Sequence, residues 1–405
     1  MLHAAGALRA MAQLASSDFL GRTRLLILQS TPFCNIDCGY CYLPGRGDRA
    51  RMDLRTVRNA VEWVYTHGLA ADPLTLYWHA GEPLSLTPDW YEQAIAEVAD
   101  LIPVDARIEY RLQTNATLID DRWCALFLTH KFRVGVSLDG PAWLHDMRRR
   151  TRNGRGTHAA CMRGVRALQR HDIPFHVICV VTRDTLRAPD AMVEFFLDEG
   201  IDRVGFNIEE IEGINISSSL AQDGARAEFA RFLDRFLECA ERSGRLQVRE
   251  ADGLLNWLRS PEFGQVRGNE QNVPFEIVTV THRGDIATFS PELVGISDAR
   301  FGDFTVGNVA STSLDEILTS KRFQSLNEEI EDGVAACAAQ CSYFKLCRGG
   351  APANKLAEHG SFRATETMFC KFTEQTVADV VLGRLEAGLQ SGPEIQTGIR
   401  SCPFT

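Results

Sequence analysis

Cys34-Asn35-Ile36-Asp37-Cys38-Gly39-Tyr40-Cys41 sets three thiols on one short stretch, spaced C-x3-C-x2-C with an aromatic residue directly before the third. A loop this short lets all three sulfurs converge on one metal centre. A four-iron four-sulfur cluster takes four ligands, so three thiolates leave one iron open to bind something else. Two other readings stand beside this one. A zinc knot would want a fourth Cys or His close by, whereas the nearest histidine is His67. The thiols could also be plain core residues.

The segment before the loop, Leu25-Leu26-Ile27-Leu28, is apolar without alternation, the pattern of a strand buried on both faces. After the loop, Leu54, Val57, Val61 and Val64 recur at helical spacing and predict an amphipathic helix over Asp53–His67. The rhythm repeats, with strands at Leu74–His79, Ile108–Gln113, Phe132–Ser137, Phe175–Val181 and Arg203–Ile208. Helices are predicted at Asp89–Leu101, Asp120–His130, Thr157–Arg170 and Ala191–Glu199. Such alternation predicts an α/β fold, a partial (β/α)6 TIM-type barrel over residues 24–210 rather than a closed eight-stranded one. Barrel chemistry gathers at the C-terminal ends of the strands, where the cysteine loop leaves the first.

Residues 1–23 read as an N-terminal helix and linker. Residues 211–273 read as a polar linker and bridging helices, one with Phe229, Phe232, Phe236 and Leu237 on one side. Residues 274–390 read as a small cysteine-bearing domain with a hairpin, Ile277–Val280 and Asp285–Thr288, turning at His282-Arg283-Gly284, and a closing helix. Residues 391–405 read as a loose tail.

The 405 residues, 45% hydrophobic and 24% charged, suit a globular protein with a full core. A net charge of -10 argues against nucleic acid as a partner. Twelve cysteines, seven of them in two groups, read as metal binding in a reducing compartment, not as a disulfide scaffold. Met1–Ser17, interrupted by Arg9 and Gln13, lacks the charged start and clean apolar run of a signal peptide. No stretch approaches bilayer-spanning length. A cytoplasmic protein without a membrane partner is expected, its clusters under anaerobic or protected conditions.

The strand ends carry further motifs: His79-Ala80-Gly81-Glu82-Pro83, Gln113-Thr114-Asn115, Ser137-Leu138-Asp139-Gly140-Pro141, and His145-Asp146-Met147-Arg148-Arg149 with Gly154-Arg155-Gly156-Thr157. Together with the cysteine loop they resemble the radical S-adenosylmethionine (SAM) superfamily, with Ala80 in place of the first glycine of its Gly-Gly-Glu-Pro motif. The resemblance implies a four-iron cluster on Cys34, Cys38 and Cys41 whose open iron holds the amino and carboxylate groups of SAM. It implies Gly81 and Glu82 at SAM's amino group, and Asn115, Ser137 and Asp139 at the methionine and ribose hydroxyls. Arg149 becomes a clamp on the carboxylate, and Tyr40 a neighbour of the cofactor. Turn chemistry would equally account for Asp139-Gly140-Pro141, and Arg148–Arg150 is a charge run of the kind usually found on solvated faces. Cys124, Cys161, Cys179 and Cys239 stand singly on apolar faces and read as core residues.

A second group, Cys337-x3-Cys341-x5-Cys347 and then Cys370, offers four thiolates. Four ligands close a cluster to SAM and leave it to store or pass electrons, or to shape the fold. A zinc ribbon would suit the same four thiolates. The group resembles the second half of the SPASM domain of radical SAM peptide maturases, truncated. Ala351 and Phe289 stand where further cysteines are expected, and residues 240–336 contain none. The expectation is one auxiliary cluster, two four-iron clusters in all.

Within that superfamily the chain is similar to maturases that form three-residue cyclophanes, in the branch acting on glycine-rich-repeat precursors. The similarity rests on Leu28–Cys38, Trp78–Pro83, Phe289-Ser290-Pro291-Glu292-Leu293, Asn354-Lys355-Leu356 and Thr365-Glu366-Thr367-Met368. It implies a carbon–carbon bond between an aromatic ring and a β-carbon in a ribosomally made precursor peptide with leader and core. A 5′-deoxyadenosyl radical begins the reaction, and a reductant such as flavodoxin or ferredoxin supplies the first electron. Asp285 and Glu292 are candidates for the proton acceptor by location. Thioether formation, epimerisation and formylglycine-forming sulfatase maturation use the same barrel motifs and remain alternatives, as does a non-catalytic iron–sulfur peptide-binding protein.

Overall fold

The structure, a computed structural model, describes residues 21–266 and 268–391. The predicted N-terminal helix and the predicted loose tail therefore lie almost wholly outside the described residues. The spine is one ten-stranded sheet in the order β10-β9-β8-β1-β2-β3-β4-β5-β6-β7. Strands β1 (Thr23–Leu28), β2 (Ala70–Trp78), β3 (Ile108–Thr114), β4 (Arg133–Ser137), β5 (Phe175–Val181) and β6 (Arg203–Ile208) run parallel, each paired with the next. Helices α1 (Leu54–Thr66), α2 (Pro88–Val98), α3 (Asp121–Thr129), α4 (Ala142–Arg148), α5 (His158–Arg170) and α6 (Pro189–Asp198) connect them. This is the partial barrel that the alternating pattern predicts.

The reason is visible in the burial. Leu26, Ile27 and Leu28 are no more than 2% exposed, so β1 is covered on both faces, as an unbroken apolar run requires. Outside the sheet, Trp78, Tyr91, Trp123, Phe127 and Phe132 pack ring against ring and clamp α2 and α3 down. Helix α7 (Ala225–Ser243) buries Phe229, Phe232, Phe236 and Leu237, the side that its spacing marks. Cys124, Cys161, Cys179 and Cys239 are core residues, at most 1% exposed.

Three features exceed the sequence reading, the first being the short helix α4, which no predicted span covers. A two-residue strand β7 (Gln247–Val248) and helix α8 (Arg249–Arg259) extend the sheet beyond β6. The hairpin, β8 (Ile277–Val280) and β9 (Asp285–Thr288), forms where expected, yet β8 also pairs in parallel with β1, Leu25 opposite Ile277 through Leu28 opposite Val280. All four residues of β8 are buried, which a two-residue alternation would not allow on the edge of a separate domain. A short β10 (Gly307–Asn308) ends the sheet, followed by α9 (Leu314–Thr319), α10 (Lys321–Gln340), α11 (Phe344–Cys347) and α12 (Pro352–His359). Among the described residues no helix is long and apolar enough to cross a membrane.

Candidate active site

The C-terminal ends of the parallel strands open into a cavity of about 600 Å³ whose lining includes Cys34, Cys38, Cys41, Tyr40, Gly81, Glu82, Asn115, Ser137 and Arg149. The cysteine loop is held there by backbone contacts. Asp37 N donates to Arg150 O at 2.7 Å and Gly39 N to Arg148 O at 3.0 Å. Arg46 Nη1 donates to Cys38 O at 3.0 Å, and Arg152 Nη2 to Cys34 O at 3.0 Å. The run Arg148–Arg150 thus backs the loop with its main chain and is more than a solvated face. Burial pushes the Cys34 and Cys38 thiols up to about 12, with Cys41 raising both and Cys38 raising Cys34, so they stay protonated at neutral pH until a metal displaces the protons.

The turn after β2 is folded against the start of the same loop. Gly81 has φ 66°, and a Cβ there would run into the carbonyls of Thr31 and Phe33. Ala80 takes φ 69°, so alanine is tolerated in the left-handed conformation that a glycine would adopt more easily. Glu82, 1% exposed, accepts from Leu84 N at 2.9 Å and Thr114 Oγ1 at 2.7 Å on one oxygen, and from Asn115 N at 2.8 Å on the other. A carboxylate offers about four lone-pair sites, so the second oxygen keeps one free. Burial pushes Glu82 up to about 7 despite these three donors. Asn115 itself donates to Asn35 Oδ1 at 2.8 Å and reaches Cys34 Sγ at 3.8 Å.

Ser137 Oγ accepts from Gln113 Nε2 at 2.9 Å at the cavity wall. Asp139 is not part of the lining. Its carboxylate accepts from Tyr40 Oη at 2.5 Å and Val180 N at 2.9 Å, and pairs with Arg149 Nε at 2.9 Å. Any effect of Asp139 on a ligand would therefore run through Tyr40 and Arg149, which it holds. Arg149 lies 5.4 Å over the Tyr40 ring. Its remaining N–H groups have no protein partner among the described residues.

Sequence reasoning missed Glu210 and Glu212, which with the candidate Glu292 form an acidic wall in the same cavity. Burial raises all three, and Glu292 raises Glu210 and Glu212 further. Glu210 accepts from Asn354 Nδ2 at 2.7 Å. Glu212, 5% exposed, has no hydrogen-bond or ion-pair partner for its carboxylate among the described residues. Glu212 falls in the stretch from 211 onward that reads as linker because it is polar, and Glu210 is the last residue of the predicted barrel; both closely follow β6, where barrel chemistry gathers, and that position was the available signal. Asp285 points elsewhere, toward Thr281 and Asn308, in a separate depression, so of the two candidate proton acceptors only Glu292 reaches the cavity.

The chain is 41% identical over 374 residues to the uncharacterised Synechocystis protein sll1766, covering 91% of this chain and 94% of that protein. Residues 28–196 match the model of the radical SAM superfamily. This chain belongs to the radical SAM superfamily. It is an enzyme, and enzymes of this superfamily use SAM and a four-iron four-sulfur cluster. It is also similar to the serine-type anaerobic sulfatase-maturating enzyme of Bacteroides thetaiotaomicron, 23% identical over 360 residues and 84% of each protein. Its fold matches that of anSMEcpe with bound AdoMet and Cp18Cys peptide (TM-score 0.71, 21% identity, 91% of this chain and 98% of that one). It also matches Streptococcus suis SuiB bound to precursor peptide SuiA (TM-score 0.63, 16% identity, 90% and 80%).

The residues present fit the radical SAM cofactors. Three thiols with no disulfide face one cavity that also holds a free carboxylate lone pair and free guanidinium N–H groups. Among the described residues no three His, Cys, Asp or Glu side chains gather tightly enough for a single ion; a cluster, with each thiolate on its own iron, spreads its ligands wider. The second group is also gathered. Cys341 and Cys370 both act electrostatically on Cys347, which burial pushes up to about 12. Gly349 lies between two of the four: its carbonyl is 3.9 Å from Cys337 Sγ and its N–H reaches Cys347.

Proposed function

We propose that this radical SAM enzyme is a peptide maturase that joins an aromatic ring to a β-carbon of a ribosomally made peptide, forming a three-residue cyclophane. The observation that carries the reading is one cavity holding both an incomplete thiol set and a wall of buried carboxylates, Glu210, Glu212 and Glu292. Bound there, SAM and its cluster would supply a 5′-deoxyadenosyl radical able to take hydrogen from an unactivated β-carbon. Cys34, Cys38 and Cys41 would hold that cluster. Glu82 would offer its free lone pair to an N–H of SAM's amino group, Arg149 its free N–H groups to the carboxylate, and Asn115 and Ser137 their polar ends to hydroxyls. After ring addition, aromaticity returns only when one proton and one electron leave. Glu292, raised by burial, is suited to take the proton near neutral pH. Cys337, Cys341, Cys347 and Cys370 would hold a saturated second cluster able to store or pass the electron. The peptides bound to the solved relatives support a peptide substrate.

The curated relatives favour a second reading, formylglycine formation on a sulfatase-like peptide. The test uses a synthetic Gly-rich peptide with repeated aromatic-x-x triplets, or the product of any short open reading frame of that kind found beside this gene, reacted anaerobically with SAM and reductant. A crosslink and formylglycine made from serine both remove two hydrogens, so mass alone does not separate them. The expected product is lighter by two hydrogens, is inert to a hydrazide probe, and resists fragmentation inside one triplet. A hydrazide-reactive aldehyde would establish the second reading, and an unchanged peptide would defeat the first. Glu292→Gln should slow crosslinking while 5′-deoxyadenosine still forms.

Glu82 carries a prediction of its own. Glu82→Ala should weaken SAM binding roughly 10- to 100-fold, the worth of a hydrogen bond to a charged group, with iron content unchanged. The pH dependence has a definite sign. Burial makes the Glu82 carboxyl neutral below about 7, and a neutral carboxyl accepts more weakly than a carboxylate from the N–H groups of SAM's amino group. Wild-type affinity should therefore be full at alkaline pH and fall as pH drops through about 7, and Glu82→Gln should flatten that dependence. Calorimetric titration of SAM across this range checks both, and unchanged affinity in the variants removes Glu82 from the site.

A further inference from the structure

Lys355 is the one lysine in the described core whose amine meets a cysteine sulfur. It is 3% exposed and lies on α12; Cys337, 4% exposed, lies on the last turn of α10. Lys355 Nζ donates to Gly333 O at 3.0 Å and sits 3.4 Å from Cys337 Sγ. Gly333 makes room for this contact, since a Cβ there would stand 3.2 Å from Lys355 Nζ and strike the Phe362 carbonyl. Lysine is almost never buried this fully unless paired. Among the described residues no carboxylate pairs with Lys355, so the anion within its reach is the Cys337 sulfur, once that thiol has given up its proton.

We infer that Lys355 is a built-in cation for the auxiliary iron–sulfur centre, donating an N–H to the Cys337 thiolate and raising the centre's reduction potential. The inference rests on the reading of Cys337, Cys341, Cys347 and Cys370 as cluster ligands. Hydrogen bonds to ligand sulfurs and local charge are two of the levers that set such potentials. Reduction adds one negative charge to the centre. A cation a few ångströms away, in surroundings drier than water, favours that added charge. The direction matters for the reaction. A centre that must take an electron from a product radical gains from a cation, whereas one that must deliver a low-potential electron loses by it. Lys355 therefore marks the centre as an electron acceptor. The preceding residue, Asn354, hydrogen-bonds Glu210 in the barrel cavity, so consecutive side chains of α12 touch the carboxylate wall and the second cysteine group.

The test isolates the auxiliary centre in the full chain by combining Cys34→Ala, Cys38→Ala and Cys41→Ala. Lys355→Met, Lys355→Gln and Lys355→Arg are each added to that background, and the reconstituted proteins are titrated electrochemically with EPR detection. Iron should remain about four per chain in each. Lys355→Met should shift the midpoint negative by at least a tenfold change in the reduction equilibrium, about 59 mV for a one-electron couple. Lys355→Gln, a neutral donor, should fall between, and Lys355→Arg should stay near the parent. If the methionine variant loses its iron, the glutamine variant is read in its place. An unshifted midpoint with iron retained overturns the inference. Loss of iron in all three variants, arginine included, overturns it in favour of a packing role. Zinc in the parent background overturns the cluster reading itself and this inference with it.

Discussion

Replacing Cys34, Cys38 and Cys41 together by alanine is expected to abolish SAM cleavage outright and to leave about four of about eight irons per chain. The three thiols line one cavity with Glu82 and Arg149, and the second group of cysteines lies in another part of the fold. Loss of the first set should therefore not disturb the second. The structure also argues that the variant will fold. The cysteine loop is fixed by backbone contacts to residues 148–152 and by the Tyr40–Asp139 bond, none of which needs a sulfur. Iron analysis and chromatography of 5′-deoxyadenosine check the two halves. A wild-type count near twelve, on four irons per cluster, would mean that a third cluster exists despite Ala351 and Phe289. Residual SAM cleavage by the triple variant would move the chemistry away from this cavity.

Cys347→Ala should do the converse. SAM cleavage under strong reductant should persist, because the first hydrogen abstraction needs the barrel cavity alone. On the proposed reading crosslinked peptide should nearly vanish, because the electron released on rearomatisation would then lack its acceptor. The competing explanation is that losing a ligand unfolds the C-terminal region and with it the peptide site. The structure makes that a fair contest, since Asn269 Nδ2 donates to Cys347 O at 2.8 Å and Trp257 Nε1 to Lys345 O at 3.0 Å, tying this region to the bridging segment. These bonds use main-chain carbonyls and survive the substitution. Circular dichroism and peptide binding separate the two explanations. A folded variant that binds peptide and crosslinks it at the normal rate would reduce the second cysteine group to a structural role.

What the sequence made legible follows from what is local. Strands β1 to β6 and the longer helices between them were readable because each is a contiguous apolar run or a regular period, the short α4 excepted, and the three-cysteine loop because its spacing is contiguous. The carboxylate Glu82 stood out because Gly81 and Pro83 frame it one strand after the loop. The partner of β8 was not readable: Ile277–Val280 is apolar on both faces, which says that it is buried and not beside what. Glu210 and Glu212 were hidden for the opposite reason. Their polarity reads as solvent exposure, and only the fold puts their carboxylates inside a cavity. Asp139 and Arg149 were recognised as residues, but their pairing with each other and with Tyr40 closes over a sequence distance that no local pattern spans. The motif Asn354-Lys355 was likewise visible only as a resemblance; its contacts with Glu210 and Cys337 give it a physical meaning.

The parallel pairing of β8 with β1 makes the first strand of the barrel depend on residues that follow that strand by 252 positions. Leu25 to Leu28 carry no charge, proline or bulge to discourage another chain from adding to their open side, and β8 occupies that side. Cut before residue 274, the barrel would present a bare apolar edge, the kind that templates aggregation. The C-terminal part is therefore not a detachable module that can be exchanged between maturases at a linker. A chimera that swaps the second cysteine group must keep the native β8, or bring a strand of matching length and register, if its barrel is to stay soluble.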